Sequence, residues 1–185
     1  MRGTGRALCI PSAPVAVAPL RFLDIETSGL RADRGGRITE MAVLSQEKVH
    51  VNWTYSLDAP VGSESHDEAV HSVLTRLLLE FEESVVVAHN APFDLQFIAY
   101  ECRRLGIEGL TVQMIDTLAL ARGVCADIAD HRLETLADVF KLSVSGPMHT
   151  ALVDAQVTRD LFEVLVQKGA LETLDDAGLR RLSWG

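Results

Sequence analysis

Four consecutive apolar residues at 85–88, Val-Val-Val-Ala, place the strongest constraint on how this chain can fold. A short run rich in β-branched residues is typical of a buried strand. A helical pattern follows it, with Pro92 in the first turn and Gly106 just past the end, which is how helices often begin and end. A buried strand leading into such a helix predicts an α/β sheet flanked by helices.

Hydrophobic periodicity predicts the other elements of this sheet. The predicted strands are residues 21–26, 37–44, 49–57, 85–88 and 111–115. The predicted helices are residues 67–82, 92–105, 117–122, 133–140, 150–167 and 174–182. The first three strands follow one another without a helix, which indicates a meander, and only helices follow the last strand.

The first 19 residues contain Pro11, Pro14 and Pro19, which disfavour both a helix and the apolar core of a signal peptide. We therefore expect a flexible leader over residues 1–19 and a single domain over residues 20–185. No apolar run is long enough to span a bilayer, so we expect no membrane partner.

Charge and cysteine content restrict the class of protein. The net charge of −9 argues against a broad basic surface that grips long nucleic acid, although the carboxylates of a metal site would contribute to this charge. Cys9, Cys102 and Cys125 are odd in number and lack CxxC spacing, so neither a disulfide framework nor a zinc site is indicated. A reducing, cytoplasmic setting is expected.

Two acidic residues on the first predicted strand suggest a metal site. Asp24 and Glu26 are two residues apart, so both side chains point to the same face of the sheet. Their repulsion would be relieved by a hard divalent cation such as Mg²⁺ or Mn²⁺, which prefers oxygen ligands. The alternative is an exposed strand end with two solvated acids. The segment that follows, from Thr27 to Leu30, is by itself typical of a plain turn.

A second group of polar residues follows the buried strand. Asp94 lies in the first turn of the next helix, where an acid complements the helix dipole but also stands where α/β proteins often build sites. His89 and Asn90 more often stabilise a turn than bind a metal, so we assign them supporting roles.

The third group surrounds the start of the helix predicted at 150–167. Thr150 can cap this helix, which places His149 just outside it and Asp154 on an early turn. A histidine can act as a general base near neutral pH, whereas a lone histidine before a helix is often incidental.

Three segments together resemble the motifs of the DEDDh family of 3′-to-5′ exonucleases, which includes the proofreading epsilon subunit of bacterial DNA polymerase III. They are FLDIETSGL at 22–30, VAHNAPFDLQFI at 87–98 and HTALVDAQVT at 149–158, in the family's order and at similar separations. The resemblance covers about residues 21–168, and it includes linking segments at 115–117 and 133–137. Asp116, in the first of these, is interpreted as a helix cap.

This resemblance implies a ribonuclease-H-like fold, with a mixed central sheet, and hydrolysis assisted by two divalent ions, Mg²⁺ or Mn²⁺. By the same resemblance, Asp24 would bridge the ions, Glu26 and Asp154 would complete one ion's site, and Asp94 would hold the other ion. His149 would be the general base. The product would be a nucleoside 5′-monophosphate released from a 3′ end.

The resemblance also implies contacts to the terminal nucleotide. Thr27 and Leu30 would touch it, with Leu30 wedged against the base, while Asn90 and Phe93 would shape the pocket. The chain departs from the family pattern at residues 62–67, where His66 is interpreted as the remnant of a family segment. This departure affects the expected grip on the substrate more than the chemistry.

We expect nucleic acid 3′ ends as the substrate, with DNA favoured over RNA, and a DNA polymerase as a candidate partner. The expected oligomeric state is a monomer or a homodimer. Two alternatives stay open: an exoribonuclease that trims RNA, and a non-catalytic nucleic-acid-binding or polymerase-associated scaffold protein with the same fold.

Overall fold

The apolar run at residues 85–88 lies in the interior of a six-stranded sheet. The structure is a computed structural model that describes residues 10–55 and 59–184. Its strands, in chain order, are β1 (Leu20–Thr27), β2 (Ile38–Leu44), β3 (Val49–Thr54), β4 (Val85–Ala88), β5 (Thr111–Asp116) and β6 (Arg180–Ser183). In space they lie in the order β3-β2-β1-β4-β5-β6.

The sheet is mixed, as predicted. β1, β2 and β3 form the antiparallel meander, while β4 pairs in parallel with both β1 and β5. The carboxyl ends of the three parallel strands therefore meet at the same edge of the sheet, the position where α/β proteins place their sites.

In the described part of the chain, five α-helices cover the two faces of the sheet. They are α1 (Glu64–Phe81), α2 (Ala91–Leu105), α3 (Thr117–Val124), α4 (Leu133–Phe140) and α5 (Ala151–Gly169). Helices α1 and α2 share one apolar core with one face, α5 packs on the other face, and α3 and α4 pack against α5. None of the helices in the described ranges combines the length and apolar character of a membrane-spanning helix.

The alternation of side chains on β1 decides which residues face which layer. Leu23 and Ile25 are buried in the core beneath α1 and α2. Phe22 points the other way, and its ring lies 5.9 Å from that of Phe162 on α5, measured between centroids. Asp24 and Glu26, which share the face of Phe22, therefore point toward the α5 side.

Residues 10–19 differ from the expected flexible leader. The backbone N–H of Val15 donates to the carbonyl of Glu172 at 2.9 Å, and the N–H of Leu174 donates to the carbonyl of Ala13 at 3.0 Å. Val15 is buried in the core beneath α5. These contacts to the segment after α5 hold residues 10–19 against the domain, whereas residues 1–9 lie outside the described residues.

The prediction of a helix at residues 174–182 is wrong. Residues up to Gly178, whose φ is +78°, form turns, and the next residues form β6 antiparallel to β5. Without β6, the outer backbone groups of β5 would lack partners, and this pairing outweighs the local helical periodicity. The strand predicted at 49–57 ends at Thr54, and residues 56 and 57 lie outside the described residues.

Asp116 ties the edge of the sheet to two helices. Its Oδ1 accepts a hydrogen bond from the N–H of Leu118 at 3.1 Å, which confirms that Asp116 caps α3. The same oxygen accepts from the N–H groups of Asn90 at 2.9 Å and Ala91 at 3.4 Å, at the start of α2. One carboxylate thus fixes how α2 leaves the sheet.

We predict that Asp116→Ala lowers the free energy of unfolding by about 2 kcal/mol, because it removes a cap and leaves N–H groups at two helix starts without an acceptor. Urea denaturation followed by circular dichroism measures this. Asp127→Ala, which removes an exposed carboxylate, is the control, and equal stability of the two variants would contradict the role of Asp116.

Candidate active site

The acidic pair on β1 lies at an open end of the strand. β4 pairs with β1 only from Leu20 to Phe22, so β1 continues beyond its neighbour before it reaches Asp24. On its other side Glu26 is paired with Glu40 of β2. A third carboxylate, which the sequence analysis did not identify, therefore stands beside the predicted pair.

Asp94 reaches this end of β1 from α2. Its side chain is 4% exposed, and Oδ1 accepts a hydrogen bond from the N–H of Ile25 at 3.2 Å. This N–H lies past the end of the β1–β4 ladder, so the carboxylate takes the place of a strand partner. Asp94 therefore does more than complement the dipole of its own helix, because it connects α2 to the strand between Asp24 and Glu26.

The start of α5 brings His149 and Asp154 to the same place. Asp154 is 7% exposed, and both of its carboxylate oxygens lie 3.3 Å from the backbone N of His149, which donates to them. His149 has a φ of +65°, a left-handed conformation that non-glycine residues rarely adopt. Ligand atoms of Glu26, His149 and Asp154 all lie within 4.8 Å of one another.

Glu40 supports the start of α5. Thr150 occupies the N-cap position as predicted, but its hydroxyl donates to the carbonyl of Pro147 and makes no capping bond to α5. The N–H of Ala151 donates instead to Oε2 of Glu40 at 3.2 Å. The carboxylate that caps α5 therefore comes from β2, more than a hundred residues earlier in the chain.

His149 has a second acidic neighbour that the sequence analysis missed. Its Nε2 lies 2.6 Å from Oε1 of Glu134, near the start of α4. Both side chains are solvent-accessible, so the imidazole can be reached from outside. Glu134 lies in the linking segment at 133–137, but spacing alone gave no signal that its side chain would reach His149.

Burial and crowding raise the pKa values of the carboxyl groups. The pKa of Asp24 is raised well above its usual range, first by burial and then by the charges of Asp94 and Asp154. Burial also raises the pKa of Asp94, Glu26 and Asp154. The donor set is rich in carboxylate oxygen with one imidazole, and it fits a hard divalent cation, whose charge would offset the repulsion.

The residues predicted to contact the nucleotide flank this cluster. Thr27 Oγ1 donates to the carbonyl of Gly29 at 2.9 Å, and Leu30 is 85% exposed. Asn90 is exposed and adopts a left-handed conformation, with φ +68°. Phe93 is half-buried, and its ring centroid lies 5.0 Å from that of Phe97. These four roles stay predictions.

The other two histidines singled out by sequence make structural contacts. Nδ1 of His89 lies 3.0 Å from Oγ1 of Thr117, and Nε2 lies 2.9 Å from the carbonyl of His131. Burial lowers the pKa of His89. His66 is buried in α1, where Nε2 lies 2.9 Å from the carbonyl of Ile38, so this ring points into the core rather than toward a substrate.

Comparison with known sequences gives consistent matches. The family model RNase_T, described as Exonuclease, matches residues 62–162, a range that contains Asp94, His149 and Asp154. The DNA polymerase III subunit epsilon of Rickettsia prowazekii is 30% identical over 166 residues, which cover 78% of this chain and 72% of that protein. The PolC-type DNA polymerase III of Caldanaerobacter subterraneus is 34% identical over 116 residues. The 3′-5′ exonuclease DinG of Bacillus subtilis is 29% identical over 181 residues.

Coverage of these relatives is uneven. The match spans 8% of the PolC-type polymerase and 19% of DinG, so most of each of those proteins lies outside the aligned region.

Among solved structures, Pop2p of S. pombe superposes with a TM-score of 0.63 at 14% identity, and the match covers 89% of both chains. NrnC of Brucella melitensis has a TM-score of 0.53 at 18% identity, covering 86% of this chain and 77% of that one. These likenesses confirm the predicted ribonuclease-H-like fold.

We predict that Asp24→Asn stabilises the metal-free protein at pH 7 by about 1 kcal/mol, because it removes one of several crowded charges. The folded protein holds the Asp24 proton more tightly than the unfolded chain does. This group therefore favours folding at low pH, and the advantage is lost as the pH rises from the unfolded pKa through the folded pKa.

The difference between Asp24→Asn and wild type should accordingly shrink as the pH falls toward the ordinary aspartate range. Urea denaturation in EDTA at several pH values measures it. A variant that is less stable than wild type at pH 7, or a difference independent of pH, would contradict the crowding of charges at Asp24.

Proposed function

The chain belongs to the RNase_T family of exonucleases, and from this membership we propose that it shortens DNA stepwise from single-stranded or frayed 3′ ends, releasing nucleoside 5′-monophosphates. The DEDD-type 3′-to-5′ exonuclease family and the hydrolytic activity predicted from the sequence are confirmed by these comparisons. We propose the substrate, the roles of the residues and the number of metal ions.

One observation carries the proposal. Three separate parts of the chain, β1, the start of α2 and the start of α5, bring Asp24, Glu26, Asp94, His149 and Asp154 to one edge of the sheet. A non-catalytic scaffold would not require acids whose repulsion destabilises the metal-free fold. The complete set of acids and histidine therefore favours an enzyme over a binding module.

We assign the divalent cations to the four aspartate and glutamate side chains. Asp24 would be shared between two ions, Glu26 and Asp154 would hold one, and Asp94 would hold the other. When bound, such ions stabilise negative charge that develops on phosphate oxygens and lower the pKa of a coordinated water. The structure of Pop2p is of a form bound to Mg²⁺ and Mn²⁺, which supports this choice of ion.

His149 acts as the general base in this proposal. Its imidazole accepts a proton from a water molecule, whose oxygen attacks the phosphorus atom, and the bond from phosphorus to the 3′ oxygen of the preceding nucleotide breaks. The terminal nucleotide leaves with the phosphate at its 5′ position, and the 3′ oxygen of the shortened strand takes up a proton from solvent to become a hydroxyl. The backbone bond to Asp154 and the side-chain contact with Glu134 position the imidazole.

DNA is favoured over RNA because relatives of the chain are named as a PolC-type DNA polymerase III and as the epsilon subunit of DNA polymerase III. The same relatives make a DNA polymerase the proposed partner. The net charge of −9 favours short or frayed ends over long duplex, since few phosphates can be neutralised at once.

Removing the central ligand should abolish the activity. We predict that Asp24→Ala reduces Mn²⁺-dependent release of mononucleotides to below about one thousandth of wild type. His149→Ala should reduce kcat by a factor of about 10² to 10⁴, as expected for a general base. Product ladders from a 5′-labelled single-stranded oligonucleotide measure both effects.

The control for these variants is Glu163→Ala, which removes an exposed carboxylate from the same helix as Asp154. It should retain wild-type activity. Undiminished activity of Asp24→Ala would refute the site, and undiminished activity of His149→Ala would refute the assignment of the base alone.

The choice of sugar is tested separately. Matched DNA and RNA oligonucleotides of one sequence should give a higher kcat/KM for DNA, measured from initial rates with either metal. A clear preference for RNA would overturn the DNA assignment and favour the exoribonuclease alternative, while leaving the exonuclease site intact.

A further inference from the structure

A groove of about 600 Å³ runs along α2, away from the acidic cluster. One wall is the loop after β1, which carries Leu30 and Arg31, and the other is the face of α2 that presents Phe93, Gln96 and Tyr100. The near end is marked by Phe93, the residue that immediately precedes Asp94 in the first turn of α2. Arg103 and residues 182–184 line the far end.

The loop that forms one wall is rigidly built. The N–H of Ser28 donates to the carbonyl of Arg37 and Ser28 Oγ accepts from the N–H of Arg37, which closes the loop. A Cβ atom added at Gly36 would lie 2.8 Å from the carbonyl oxygen of Arg31 and 2.9 Å from that of Gly29. The two passes of the chain are therefore in such close contact that a side chain at Gly36 cannot be accommodated without a shift.

An ionic network around the buried Glu101 connects this wall to α2. Arg37 donates to the carbonyls of Gly36 and Ala32, and its guanidinium lies 6.0 Å from the centroid of the Tyr100 ring. Its Nε lies 3.9 Å from Oε1 of Glu101, a fully buried residue whose other oxygen accepts two hydrogen bonds from Arg104. The wall is thus held in a fixed position relative to the helix.

Asp33 in the loop wall is paired with Arg31 at 2.7 Å, and the α2 wall has the chemistry of a site for single-stranded nucleic acid. Aromatic rings stack on bases of any sequence, and arginines bind phosphates. Phe93 and Tyr100 are seven residues apart, so they lie on one face of α2, with Arg103 following at the end of the same face. Gln96 and Arg103 are exposed. A volume of about 600 Å³ is within the range of pockets that enclose ligands of nucleotide size.

We propose that this groove binds the strand on the 5′ side of the terminal nucleotide, with a base against Tyr100 and a phosphate at Arg103. The proposal rests on the proposed function, since it requires a 3′ end at the acidic cluster and Leu30 between the two positions. Binding in this groove makes the enzyme prefer substrates that extend beyond a dinucleotide. The groove contacts only a few nucleotides, which agrees with the acidic net charge of the chain.

The test measures how binding strength depends on strand length. Dissociation constants for 5′-fluorescein-labelled oligothymidylates of two and six nucleotides are measured by anisotropy in Mg²⁺, on the His149→Ala background, where turnover is slow. The length advantage is the dissociation constant of the dinucleotide divided by that of the hexanucleotide. Arg103→Glu should reduce this ratio about tenfold. For the hexanucleotide, it should also make the fall of log affinity with log salt less steep, by about 0.7 in slope. Tyr100→Leu, which keeps an apolar side chain but removes the ring, should reduce the ratio about fivefold.

The matched control is Arg76→Glu, the same substitution at an exposed position on α1, which should keep the full length advantage. Equal ratios for Arg103→Glu and Arg76→Glu would overturn the proposal. Binding of a duplex with a frayed, labelled 3′ end is measured in parallel. An effect of Arg103→Glu on this duplex but not on the single strands would also overturn the proposal, because the groove would then hold the complementary strand.

Cleavage of the same unlabelled oligonucleotides by the chain with His149 intact separates the two proposals. Absence of cleavage together with an Arg103-dependent length advantage would refute the exonuclease activity and support the groove. Cleavage with no such dependence would refute the groove alone.

Discussion

The mutual repulsion of carboxylates gathered at one edge of the sheet is the constraint on which the rest of the site depends. Backbone N–H groups provide the compensation within the chain: Ile25 donates to Asp94, His149 to Asp154 and Ala151 to Glu40. Two of these donors lie at the start of α5, where the helix dipole also favours negative charge. Asp94, Asp154 and Glu40 are therefore each fixed by a neighbouring element before any cation binds.

The strand order makes this arrangement available. β1 lies between an antiparallel meander and the parallel pair β4 and β5, and it extends past the short β4. The space beyond β4 is filled by the start of α2, held there by Asp116 at the end of β5. The acids of β1 and α2 meet because one strand is shorter than its neighbour, and α5 reaches them across the opposite face.

The sequence predicted the helices and strands better than it predicted the contacts between distant segments. The helix and strand periods gave five helices and five strands close to the observed ones, and the ordered motifs singled out the four acids and one histidine of the proposed site. It failed where a distant segment decided the outcome. The helical pattern at 174–182 gave way to pairing with β5, and the capping role expected of Thr150 is carried by Glu40.

The sequence by itself determined the α/β class, because hydrophobic period and side-chain alternation are local properties, and its resemblance to the exonuclease motifs implied the mixed sheet and the residues of the site. Only the tertiary structure decided that Glu40 and Glu134 join the site, that residues 10–19 pack on the segment after α5, and that Arg37 and Glu101 fix the groove wall. These contacts link residues far apart in the chain, and their geometry depends on sheet order and helix placement, which no local pattern records.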